Sequence, residues 1–331
     1  MTEPAASKGT YDVEEVRRKY VGFETAEARG RYPVEYDAIR RHCHMVDDNN
    51  PLFLDPEHAN ITSHGAVLCP PSGWLALYFA SLGPWPAVFE PLFPIVPTLG
   101  KRIVNMSQEV EWSARVMVGD HLSVRRRIAD VYQKAVSLDP EAVWIVAEAT
   151  ITNQRDEEVC VIRNTMLTHR TPEEQEQGAR SKEPGASLNR RQPYWEDIDE
   201  GDEIEGFSLD ITPRRLALQT SGSQDWYPVH FDPAFARKAG HADVFVNTGF
   251  LQAALVRVIT DWMGDEGFLK RLRFEMRRQQ RPGDTMACKG KVTARYERDG
   301  EALVELEVWA ENEREGVTTP GTATVILPRK Q

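Results

Sequence analysis

Two kinds of apolar spacing alternate along the chain. Phe250, Leu251, Ala254, Leu255, Val258, Ile259 and Trp262 recur at helical intervals and form a broad apolar stripe, which predicts a buried helix around which the following sheet curls. Val304, Leu306, Val308 and Ala310 alternate with polar residues and predict a half-buried strand. Asp299-Gly300, just upstream, predicts a hairpin turn because both residue types tolerate positive φ. Val143, Ile145, Ala147, Ala149 and Ile151 repeat the strand alternation in the earlier half. Thr212-Pro213 predicts a helix start, with threonine capping free backbone N–H groups and proline fitting the first turn.

The same order of signals occurs twice. Asp48-Asn-Asn-Pro51-Leu-Phe53-Leu-Asp55-Pro56 is followed by an apolar helical stretch and Val118-Gly119-Asp120. Asp225-Trp-Tyr-Pro228-Val-His230-Phe-Asp232-Pro233 is followed by another helical stretch and Pro282-Gly283-Asp284. The first copy is the longer between these marks, and the excess is expected in the proline-rich segment Pro84 to Pro97. Each copy reads as helix, polar loop, central helix and antiparallel strands. Thr171 to Gln192 is polar, has no sustained apolar period and separates the copies as a linker. The expected organisation is therefore a first module over 1–170, a linker over 171–192 and a second module over 193–331.

Length and composition agree with two folded modules: 331 residues, 41% hydrophobic and 27% charged. No apolar run approaches the roughly 20 residues of a membrane span. A formal net charge of -11 argues against nucleic-acid binding, which draws on clustered positive charge. Met1 to Gly9 lacks the basic stretch and apolar core of an export signal, so a cytoplasmic protein is expected. Cys43, Cys69, Cys160 and Cys288 are far apart and form no Cys-x-x-Cys pair; buried thiols are expected rather than a zinc ribbon or redox site. Neither a glycine-rich nucleotide fingerprint nor a clustered metal-ligand motif stands out, so the reading requires neither cofactor nor metal.

The second Asp-Pro segment resembles the MaoC-like hydratase and dehydratase family, which includes the R-specific enoyl-CoA hydratases. The match comprises Asp225, Pro228, His230, Asp232-Pro233, Ala236 and Gly240 in order and spacing, with Gly283-Asp284-Thr285 downstream. The first half resembles the related dehydratase domains of large fatty-acid synthases. The resemblance implies an α+β double hotdog, two long central helices each wrapped by an antiparallel sheet and associated as a pseudo-dimer. It also implies reversible hydration of 2-enoyl-CoA, or dehydration of 3-hydroxyacyl-CoA, on water held by Asp225 and His230. Phe53 stands at the position of His230 and cannot exchange a proton, so one active site is expected.

Hydration of a conjugated thioester needs a base, a proton for the α-carbon and stabilisation of negative charge on the carbonyl oxygen. In the family, backbone N–H groups at the start of the central helix serve as oxyanion donors, and here Thr248 and Gly249 are the candidates. Asn247-Thr248-Gly249 replaces the family's His-Gly at that point, and Asn247 is carried as a candidate that fixes substrate or braces the loop, with local backbone hydrogen bonding as an equal alternative. Asp232 is expected to open a turn, since Asp55 is retained in the copy without histidine. Lys270, Arg271, Arg273, Arg277, Arg278 and Arg281 could contact coenzyme A phosphates, with a solvated strand face as the favoured alternative. Trp74, Tyr78, Phe79, Trp85, Phe89 and Phe93 form an aromatic segment, read as core packing or as space opened for a long or bulky acyl chain. Rival functions are the same chemistry on an acyl carrier protein, a hotdog thioesterase and a noncatalytic acyl-thioester-binding subunit. A homodimer is the favoured assembly.

Overall fold

In the computed structural model, residues 11–81, 96–100, 102–137, 139–169 and 192–330 are described. The first half contains α1 (Val13–Tyr20), β1 (Ala28–Arg29), α2 (Tyr36–Met45), α3 (Pro51–Leu54), α4 (Pro56–Ile61) and α5 (Gly73–Ala80). These are followed by β2 (Arg102–Trp112), β3 (Ser123–Gln133), β4 (Val143–Thr152) and β5 (Glu158–His169). The second half contains β6 (Glu203–Asp210), α6 (Pro213–Ser223), α7 (Pro233–Lys238), α8 (Thr248–Met263), β7 (Phe268–Glu275), β8 (Thr285–Arg298), β9 (Glu301–Asn312) and β10 (Gly316–Ile326).

The strands form one antiparallel sheet in the order β1-β3-β4-β5-β2-β7-β10-β9-β8-β6. Strands of the first half occupy one side of this order and strands of the second half the other. They meet where β2 pairs with β7, from Ser107 opposite Glu275 to Glu111 opposite Arg271. The α+β double hotdog expected from the sequence is thus present, with its two sheets continuous through one seam.

Each half keeps its own core. Phe250, Leu255, Val258 and Ile259 of α8 pack with Ile204, Met286, Leu306 and Val308. Leu75, Ala76 and Phe79 of α5 pack with Val110, Val124, Ile151 and Ile162. Each fully buried large aliphatic or phenyl side chain contributes roughly 1.5–3 kcal/mol, which is why helices so apolar all round are stable only inside the curl of a sheet. Met45 and Val46 of the first half join the second core, so the halves share apolar contacts as well as a seam. The hairpin at Asp299 and Gly300 has φ 55 and 81, and Thr212 accepts a hydrogen bond from Arg215 N at 3.1 Å, both as the sequence predicts.

The internal repeat extends to individual hydrogen bonds. Asp55 accepts from Glu57 N and His58 N at the start of α4, and Asp232 accepts from Ala234 N and Phe235 N at the start of α7. Asp120 Oδ2 accepts from Met117 N at 2.9 Å, and Asp284 Oδ2 from Arg281 N at 2.8 Å. All four cysteines are free and buried. The expected linker lies outside the described residues apart from Gln192, as do Trp85, Phe89 and Phe93 and most of the proline-rich segment where the extra residues were expected. Among the described residues no helix is long and apolar enough to cross a membrane.

Candidate active site

Asp225 follows α6, whose last turn ends on Gln224 in the left-handed region with φ 54. That turn redirects the chain, and Asp225 Oδ1 secures the new direction by accepting from Tyr227 N at 3.1 Å. The first half does the same: Asp47 has φ 52, and Asp48 Oδ1 accepts from Asn50 N at 2.9 Å. One carboxylate oxygen of Asp225 therefore has a structural task that the repeat retains. The other oxygen faces the histidine.

His230 closes a short 3-10 turn over Pro228–His230, started by the proline. Its Nε2 lies 3.5 Å from Asp225 Oδ2, and its Nδ1 lies 2.9 Å from the Phe245 carbonyl. A carbonyl can only accept, so Nδ1 carries the proton of the neutral ring and Nε2 is left as an acceptor. The imidazole is further wedged by the Phe245 ring, 5.0 Å between centroids. Both side chains of the pair are almost fully buried. Burial pushes the Asp225 carboxyl above its ordinary value, against the opposing pull of His230, the Tyr227 N–H and the Asn247 side chain.

Asn247 is the N-cap of α8. Its Oδ1 accepts from Phe250 N at 2.8 Å, its Nδ2 donates to Ser223 Oγ at 2.8 Å, and its backbone N–H donates to Gln219 Oε1 at 2.8 Å. The same Ser223 Oγ accepts from Asp225 N at 3.3 Å. Thr248 and Gly249 form the first turn of α8 and are buried beside this cluster. Among the described residues neither backbone N–H has an acceptor, as the first N–H groups of a helix lack intrahelical partners. Thr248 Oγ1 is engaged by Asn105 Nδ2 at 3.1 Å and lies 3.3 Å from Met276 Sδ. All five candidate residues thus come together around one turn and one helix N-terminus.

The first-half counterpart differs. Phe53 is buried, and with Asn50, Leu68, Cys69 and Trp112 it lines a cavity that also reaches Met263 at the far end of α8 and Phe268 at the start of β7. This cavity lies at the repeat-related position, not at Asp225 and His230. Sequence reasoning passed over Ser223, Gln219 and the Phe245 carbonyl. Trp74, read only as part of an aromatic segment, donates its indole N–H to Ser223 O at 2.7 Å. Five of the six basic residues have acidic partners: Lys270 with Glu301, Arg271 with Glu109, Arg273 and Arg277 with Glu275, and Arg278 with Glu315. Lys270, Arg271 and Arg273 stand on β7 and Arg277 and Arg278 just after it, ion-paired rather than simply solvated as the favoured alternative had it.

The family model described as FAS1-like, dehydratase domain region, matches residues 19–162 and 199–318. The chain belongs to this FAS1-like dehydratase-region family. The first matched segment runs into β5 and the second into β10, so each covers most of one half of the sheet. A curated relative from Thermomonospora curvata, "Probable enoyl-CoA hydratase alpha subunit", is 28% identical over 194 residues, covering 56% of this chain and 61% of the relative. The chain thus spans about three-fifths of that relative's length. Among solved structures, a MaoC-like dehydratase superposes with TM-score 0.74 at 16% identity, covering 94% of this chain and 98% of the other. A Mycobacterium tuberculosis protein described as having a double hotdog fold superposes with TM-score 0.60 at 11% identity, covering 93% and 96%. Those two superpositions concern the fold of this FAS1-like dehydratase-region protein.

Proposed function

We propose that the second half catalyses reversible hydration of 2-enoyl-CoA, or dehydration of 3-hydroxyacyl-CoA, with Asp225 and His230 as the catalytic pair. The observation that carries this reading is the placement of Asp225 Oδ2 and His230 Nε2, held 3.5 Å apart in a buried site. That separation exceeds a direct hydrogen bond and lets one water donate to both at about 2.8 Å. The water oxygen bonds to C3 of the enoyl thioester while one of its protons passes to the pair. The π electrons move toward the carbonyl, and the enolate oxygen meets the N–H groups of Thr248 and Gly249 at the positive end of α8. C2 then takes a proton from the pair, which ends as it began, and one water has been added. The R configuration is the outcome expected from the R-specific hydratases that the motif resembles.

The first half is assigned a noncatalytic role, because Phe53 replaces the histidine and its surroundings are an apolar cavity. Accommodation of the acyl chain is the task proposed for it. The enoyl ester supplied as the coenzyme A thioester is the substrate class proposed here. The test is a panel of 2-enoyl-CoA esters, from short chains to bulky cyclic ones, followed by loss of enoyl-thioester absorbance and chiral analysis of the product. Hydration without release of free thiol is expected. Thiol release without a hydroxyacyl product would establish a thioesterase instead. Binding without turnover on either coenzyme A or carrier-protein esters would leave a noncatalytic subunit.

A further inference from the structure

We infer that Trp74, carried by the first half, is a positioning residue for the catalytic site of the second half. The inference rests on the proposed role of Asp225 and His230. Trp74 lies in the first turn of α5, yet its indole N–H crosses to the Ser223 carbonyl at 2.7 Å. Ser223 is the residue whose hydroxyl accepts from both Asn247 Nδ2 and Asp225 N. The indole therefore fixes the backbone of the residue on which Asn247 and Asp225 converge.

The ring of Trp74 also lies on Gly249. A Cβ at 249 would come within 2.9 Å of the indole carbons, so only glycine permits this approach. Gly249 is one of the two proposed oxyanion donors, and the indole sets its depth.

Trp74 is itself held from the opposite direction. Its backbone N–H donates to Gln252 Oε1 at 2.8 Å, and Ser72 Oγ donates to the same oxygen at 3.0 Å. Gln252 Nε2 continues to Gln108 Oε1 at 2.5 Å, and Gln108 Nε2 to Asn164 Oδ1 at 2.9 Å. Gln252 belongs to α8. Each central helix thus supplies a side chain that fixes the N-terminus of the other: Gln252 serves α5, and Trp74 covers α8. All of these groups but the half-buried Asn164 are buried, where an unmade hydrogen bond is costly and a satisfied network is rigid. Ordinary core packing would need the ring of Trp74 but not a donor aimed at Ser223.

The test replaces Trp74 in the full chain by β-(3-benzothienyl)alanine, which keeps the shape and loses only the N–H, beside Trp74→Phe. Both are expected to lower kcat about five- to tenfold, the size of one neutral hydrogen bond, with KM within about twofold of the parent. The acidic limb of the kcat profile should move to higher pH, because a loosened Asn247 no longer holds the buried carboxyl down. Parental kcat and an unmoved limb in the benzothienyl protein would overturn the inference even if Trp74→Phe fails to fold. Asp225→Asn is run alongside: its inactivity with unaffected Trp74 variants would sink this inference alone, whereas an active Asp225→Asn would sink the proposed catalytic pair.

Discussion

His230 Nε2 stands 3.5 Å from Asp225 Oδ2, and the remaining polar atom of each side chain is already committed, Nδ1 to the Phe245 carbonyl and Oδ1 to Tyr227 N. The fold thus spends half of each functional group on holding the other half in place. Asp225→Asn retains an oxygen for the Tyr227 N–H, and His230→Ala leaves the surrounding turn to Pro228 and Asp232. Each variant is expected to fold, to bind thioester and to lose about 10²–10⁴-fold in kcat, the usual contribution of a positioned acid or base. The double variant should lose little more than the worse single one, since both groups act on one water. Near-parental hydration by either variant, on an ester the parent uses, would refute the pairing.

Burial raises the Asp225 carboxyl, and the sign of that shift fixes two pH dependences. If the carboxylate receives the water's proton, kcat must fall as pH drops through the raised value, placing the acidic limb above the ordinary aspartate value of about 4. For stability, a carboxyl whose folded value exceeds its unfolded value contributes stability that is fully present below the unfolded value. That contribution is lost as pH rises through the folded value. At neutral pH the parent therefore carries a buried charge that Asp225→Asn does not. Thermal melts should show the variant at or above the parent near neutrality, with the difference shrinking on acidification. A variant that melts lower at neutral pH and recovers in acid would contradict the assigned direction.

His42 offers a test remote from the proposed chemistry. It lies on α2, is fully buried and has no hydrogen-bond partner on either ring nitrogen among the described residues. Burial lowers its value to about 3. The unfolded chain takes up a proton near the ordinary value of about 6.5, while the folded chain resists until far lower pH. Stability is therefore full above the unfolded value and falls with pH between the two, by as much as about 1.4 kcal/mol per pH unit. Replacing His42 by Leu should flatten the acid side of the stability profile over that window. Denaturant titrations between pH 7 and 4 would reveal it; equal slopes in parent and variant would mean that the imidazole finds a proton acceptor when folded.

The repeated Asp turns, the capped start of α6, the stripe of α8 and the Asp299-Gly300 hairpin are local features, and local spacing announces them. The first half's loss of histidine is equally legible, because Phe53 occupies a position defined by its neighbours. What joins the halves is not legible in this way. Trp74 and Ser223 are distant in the chain, and an aromatic residue in an apolar run has core packing as its simplest explanation. Asn247 reads equally as a residue that fixes substrate or braces the loop and as one that hydrogen-bonds the local backbone, and its Oδ1 does the last by accepting from Phe250 N as the cap of α8. The basic run from Lys270 to Arg281 leaves an anion site open beside the favoured solvated strand face, and the sequence does not show that Glu109, Glu275, Glu301 and Glu315 are brought alongside by strand pairing and the adjoining turns. Register across a seam and between strands belongs to the whole fold.

The asymmetry between the halves yields the last expectation. Phe53 is 2% exposed and packs in the first-half core while facing the cavity shared with Trp112, Met263 and Phe268. Truncating a buried phenylalanine to alanine typically costs about 3–5 kcal/mol, so Phe53→Ala should melt well below the parent and is best paired with the milder Phe53→Leu. Neither change touches Asp225, His230 or the N-terminus of α8. Turnover on a short enoyl-CoA should stay within about twofold of the parent in both proteins at a temperature where they are folded. If the cavity receives acyl chain, kcat/KM for long or bulky esters should change relative to the short one, in the direction of larger substrates when the ring is removed. An unchanged substrate profile in a folded Phe53→Leu protein would leave the cavity with a packing role only. Loss of short-chain turnover in that protein would show that the half lacking histidine takes part in the chemistry after all.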